Sequence, residues 1–186
     1  MNRVTCLMAA ALLTWGSVAM AAADSAPEGF WSTPTIAGYG KIHLLPQSAY
    51  KPDSRQRYRI VFALSKGSQK PAEVNPSLDR VARTVNLYVA SGVPLSRLQF
   101  VAVAYGDATA LALDDAHYKA AYGVANPNLP LIAALRHAGV DIAVCGQAVA
   151  EHQFQYEWID SSVTLALSAL TTITTLEHRG YGLLQL

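Results

Sequence analysis

Tyr58-Arg59-Ile60-Val61-Phe62-Ala63-Leu64 is a near-continuous apolar run with β-branched residues, and it stops at Ser65-Lys66-Gly67. It has no polar face, so it reads as a strand buried on both sides, the kind found in parallel sheets. Asn75-Pro76-Ser77 follows, a helix-start signal with proline near the first turn. Leu78, Val81, Ala82, Val85, Tyr88 and Val89 then recur at helical spacing. Gly92 closes that helix and Val93-Pro94 marks the break.

The unit repeats. Leu98 to Tyr105 is a second strand, ending at Gly106-Asp107, and a helix is expected over about 108–121. Asn126-Pro127-Asn128 starts another helix, with Leu131, Ile132, Leu135 and Ala138 on one face and Gly139 at its end. Val140-Asp141-Ile142-Ala143-Val144 is a third strand, running straight into Cys145-Gly146. Thr164 to Arg179 reads as one long helix closed by Gly180, and Tyr181 to Leu186 as a final short strand; Val163 is a candidate for one more. This alternation predicts an α/β fold: three layers, a mostly parallel sheet of about five strands, and helices on both faces, flavodoxin-like or Rossmann-like. No GxGxxG or Walker-type loop follows any strand, so no nucleotide fingerprint is present and no cofactor is expected.

The ends of the chain narrow the class. A length of 186 residues suits one domain, and 52% hydrophobic against 15% charged residues excludes disorder. Met1-Asn2-Arg3, the apolar stretch Val4 to Met20 and the small residues Ala19 to Ala23 form a secretory signal-peptide pattern, residues 1–23. The expected location is therefore periplasmic or secreted. Cleavage takes Arg3 from the 14 Lys+Arg, leaving 13 against 13 Asp+Glu. A neutral chain without a basic run gives no basis for nucleic-acid binding. No membrane span is expected after cleavage, since the apolar, threonine-rich 163–176 is too short. Residues 24–56, rich in Pro, Gly, Ser and Tyr, read as an irregular extension, with a short hairpin around Tyr39-Gly40. Phe30, Trp31, Tyr39 and Tyr50 suggest that part of it packs down.

Cys6 leaves with the signal, so Cys145 is the one cysteine of the mature chain and has no internal disulfide partner. In an open parallel sheet ligands bind beyond the carboxyl ends of the strands, where Cys145 sits. Gly146-Gln147-Ala148-Val149-Ala150 can open a helix there, and a helix N-terminus favours the nucleophilic thiolate. Gly146 would let a substrate approach the backbone. The competing reading is packing, because a lone thiol ending a buried strand is often only core. Tyr105, Gly106 and Asp107 end the neighbouring strand and are candidates for the same crevice. Asn126 reads first as a helix cap and second as a substrate contact. His43, His117, His137, His152 and His178 show no metal-ligand spacing, so no metal site is expected. If Cys145 and His152 shared one helix, they would share a face after two turns.

The block Asn126-Pro127-Asn128, Leu131-Ile132, Leu135, Ala138-Gly139-Val140 and Val144-Cys145-Gly146-Gln147-Ala148 resembles the DsrE/DsrF-like family. So do Leu167-Ser168-Ala169-Leu170 and Arg179-Gly180-Tyr181-Gly182, the resemblance covering roughly 57–186. It implies a small Rossmann-like domain assembled as a homo-oligomer, a trimer or hexamer. It also implies a persulfide on Cys145, passed to a thiol-bearing protein partner; Gly146, Gln147, Tyr105, Gly106, Asp107 and Asn126 are the substrate-binding candidates by their place along the chain. Two functions follow: a sulfur carrier or sulfurtransferase-like protein, or a non-enzymatic oligomeric binding module in which Cys145 is structural. Intact mass of the protein from its native host should place the first residue near Ala22 or Asp24; retention of Met1 to Ala23 would remove the export reading.

Overall fold

A computed structural model describes Pro27 and residues 29–186, so the expected signal peptide lies outside the described residues. Five strands form one all-parallel sheet in the order β4-β3-β2-β1-β5. They are β1 (Tyr58–Leu64), β2 (Leu98–Ala104), β3 (Asp141–Cys145), β4 (Thr164–Ala166) and β5 (Gly182–Gln185). The helices are α1 (Pro76–Ala90), α2 (Asp115–Tyr122), α3 (Leu129–His137), α4 (Gly146–Glu151) and α5 (Ala169–His178). None of the helices among the described residues is long and apolar enough to cross a membrane.

Side chains alternate across each strand, and the two faces are covered unequally. Phe62, Leu64, Phe100, Ala102, Ile142 and Val144 point to the main core with Leu78, Val81 and Val85 of α1 and Leu131, Ile132 and Leu135 of α3. Val61, Val103, Ala143 and Cys145 point to the other face, under Ala169, Ile173 and Leu176 of α5. The second layer is thin and built of small side chains. The period of two therefore decides that Cys145 faces α5.

The long helix expected over 164–179 is two elements. Thr164-Leu165-Ala166 pairs in parallel with Ala143-Val144-Cys145, and α5 begins only after Ser168, whose Oγ accepts from the Leu170 N–H. The β-branched Val163-Thr164 start and the serine cap were the local signs, and pairing at the sheet edge overrides the helical spacing. The helix expected over 108–121 is likewise split. A 3₁₀ segment runs Gly106–Ala112, Leu113 bridges Ile159, and Asp114 caps α2 by accepting from the His117 N–H at 2.8 Å. That bond holds the Asp114 carboxyl below the usual carboxylate range, against a smaller effect of burial. A lowered folded pKa means the cap stabilises above the unfolded carboxylate pKa and is lost as pH falls through the folded value.

Residues 29–56 are irregular apart from an antiparallel bridge, Ser32 with Ile42, around the Tyr39-Gly40 turn. Part of the segment packs down as expected: of its aromatics Tyr39 meets the core, while Phe30, Trp31 and Tyr50 are exposed, and Ile36 and Ile42 are the buried anchors. The segment is locked to α1 by one fully buried side chain. Asn86 Oδ1 accepts from the N–H groups of Thr35 and Ile36, and its Nδ2 donates to the carbonyls of Tyr39 and Gly40. Asp79 Oδ1 accepts from the Gly40 N–H at 2.7 Å. Gly40 is left-handed, and a Cβ there would strike the backbone of Ala82 and Arg83. Asn86→Ala strands four backbone groups and should cost about 2–4 kcal/mol. Denaturant melts read the loss, and protease cleavage within 29–56 should appear well before the domain unfolds.

Candidate functional site around Cys145

β3 ends as α4 begins, and Cys145 serves both elements. It is the last strand residue and the cap of α4, with Sγ accepting from the Ala148 N–H at 3.5 Å. The residue is 4% exposed and lines a pocket of about 260 Å³. Tyr105 and Gly106 line it from the end of β2, Gln147 and Glu151 from α4, and Leu170 and Ile173 from α5. Glu151 is the one carboxylate on the lining, and no lysine, arginine or histidine faces it.

Gly146 is required by a close approach, made by the protein's own backbone. A Cβ there would lie 2.9 Å from the Ala166 carbonyl oxygen of β4. The start of α4 is thus pressed against the neighbouring strand. Gln147 Nε2 donates to the Leu167 carbonyl at 3.3 Å, tying the same two segments beyond the sheet. Together these contacts set where the thiol sits.

The structure brings Cys145, Gln147, Tyr105 and Gly106 to one pocket, with Gly146 behind it. Asp107 lines a separate, larger cavity. Asn126 is buried elsewhere: its Nδ2 donates to the carbonyls of Leu111 and Leu113, and its Oδ1 accepts from the Asn128 N–H. It joins the 3₁₀ segment to the start of α3 and is not that helix's cap, which is Asn128. His152 falls after α4 has ended. Its Nε2 donates to the Gly106 carbonyl at 2.9 Å, and it lines the larger cavity, so it is not placed as a base for Cys145. No group of three or more metal-ligating side chains occurs among the described residues.

Glu151, Ser168, Leu170 and Ile173 also line the pocket and were not among the expected residues. Gln147 and Glu151 lie four apart on one helix, a spacing visible in the sequence. Ser168, Leu170 and Ile173 were hidden by reading 164–179 as one helix.

The sequence profile of the DsrE/DsrF-like family matches residues 58–186. The chain belongs to the DsrE/DsrF-like family. That membership suggests a sulfur-relay-related role. The fold also resembles the solved structure of a protein of unknown function from Methanobacterium thermoautotrophicum. The TM-score is 0.51 at 16% identity, covering 69% of this chain and 99% of that one. No curated protein matches the chain.

Gly146→Ala tests the contact that seats the thiol. Overpacking against Ala166 should cost about 1–3 kcal/mol and loosen the β3–α4 junction. Urea denaturation should show the lower midpoint, and labelling of native Cys145 by an alkylating reagent should become several-fold faster, as expected where local opening controls access.

Proposed function

We propose that this protein is an exported, thiol-based sulfur carrier that holds a persulfide on Cys145. The observation that supports this most is position. The one thiol outside the expected signal segment lines a pocket at a strand's carboxyl end, where the family resemblance puts the sulfur-carrying cysteine. The pocket's lining carries no lysine, arginine or histidine and mixes Leu170 and Ile173 with Gln147 and Glu151, a setting that suits a soft sulfur atom better than an anionic substrate.

The chemistry needs one thiolate and one sulfane donor. Cys145 Sγ attacks the outer sulfur of the donor, the new S–S bond forms, and the donor leaves as its thiolate. Attack on that outer sulfur by a partner protein's thiol then regenerates Cys145. No second cysteine in the chain is needed, because the acceptor brings its own. Periplasmic or secreted location and homo-oligomeric assembly, as a trimer or hexamer, belong to the same proposal.

The second reading is a binding module in which Cys145 only packs. Its burial beside Val61, Val103 and Ala143 favours it. One experiment separates the two. Wild type and Cys145→Ser are incubated with an organic persulfide and weighed intact. A gain of one sulfur in wild type, reversed by reductant and absent in the mutant, is the expected result. No gain, together with no alkylation of the native thiol, would falsify the carrier and leave the module.

A further inference from the structure

A cavity of about 830 Å³, larger than the Cys145 pocket, lies elsewhere among the described residues. It lies at the carboxyl end of β1, where the segment 65–75 leads into α1, the place where open parallel sheets bind ligands. Its volume is in the range of small-molecule sites.

The lining carries cations beyond its own needs. Lys70 pairs with Glu73 at 2.9 Å, and that carboxylate holds the Lys70 ammonium's pKa above its ordinary value. Lys66 and Arg80 form no ion pair among the described residues. The lining holds two carboxylates, Glu73, which is paired with Lys70, and Asp107.

The decisive residue is Ser77. It is 4% exposed and lines the cavity. Its N–H is taken by Asn75 Oδ1, but its Oγ has no hydrogen-bond partner among the described residues. No fully sealed side-chain atom lacks a partner, so this hydroxyl opens onto the cavity. A hydroxyl that the fold leaves unpartnered on a cavity wall is free to bond whatever occupies that cavity. The N–H groups of Gly67, Ser68, Gln69 and Lys70 also find no backbone acceptor among the described residues. Gly67 is held against the Asp107 carbonyl, where a Cβ would come within 2.8 Å, so the loop is braced. Asn75 occupies the first N–H groups of α1, and the 15-residue helix contributes the positive end of its dipole rather than donors.

We propose that this cavity binds a phosphate ester of a hydroxyl-bearing small molecule. The loop N–H groups and Ser77 Oγ donate to the phosphate oxygens, and Lys66 and Arg80 balance its charge. Asp107 suits an organic hydroxyl, which it accepts from, and Tyr122 offers a flat face to the organic body.

The test follows the backbone amides of 67–70 by NMR while the purified protein is titrated separately with adenosine monophosphate, inorganic phosphate and sulfate. Saturable shifts with adenosine monophosphate, weaker ones with phosphate and weakest with sulfate, are expected. Ser77→Ala, which keeps the Asn75 cap, should weaken the ester several-fold, and Lys66→Gln with Arg80→Gln about tenfold or more, with circular dichroism unchanged. No saturable shift up to roughly 10 mM of either phosphate ligand overturns the site. Sulfate binding as tightly as the ester overturns the ligand class, and unchanged affinity in both variants overturns the assigned donors.

Discussion

Parallel pairing across β4-β3-β2-β1-β5 brings every strand's carboxyl end to one edge of the sheet. Leu64, Ala104, Cys145 and Ala166 end their strands there, and whatever follows each strand is forced into the same neighbourhood. The Cys145 pocket and the cation-lined cavity both arise from this constraint. Neither would exist in an antiparallel arrangement of the same segments, because alternate strand ends would then point apart.

The two hollows meet at one turn. Gly106 lines the Cys145 pocket and Asp107 lines the larger cavity, while His152 bonds the Gly106 carbonyl from the end of α4. The turn thereby separates a pocket lined by the thiol, Gln147 and Glu151 from a cavity lined by Lys66, Lys70 and Arg80.

The unequal faces of the sheet have a related consequence. Large side chains fill the α1 and α3 side, whereas alanines, valines and Cys145 fill the α5 side. A small-residue layer leaves α5 half-exposed, with Leu165, Leu167 and Leu170 near the thiol pocket in contact with solvent. On the opposite side, Asn86 ties the N-terminal segment to α1, so the extension belongs to the core of that layer even though it has almost no regular structure.

Strands β1, β2 and β3, helices α1 and α3, and the place of Cys145 at a strand's end were legible in the sequence. Continuous apolar runs, proline-started helices and glycine ends are local signals, and burial on both faces forces parallel pairing. The split of 164–179 was only hinted at by Val163 and Ser168, because Thr164 to Ala166 becomes a strand only by pairing with β3. The position of His152 could not be read either, since α4 stops one residue before it and the Gly106 carbonyl captures its ring. Ser77 looked like part of a helix start; only the packing of the β1–α1 segment against the Asp107 turn reveals its hydroxyl as open to a cavity. The sequence by itself determined the order and type of the main elements, since these follow from local pattern and burial. Tertiary structure alone decided which side chains share a pocket, because that depends on pairing register and on contacts between segments distant along the chain.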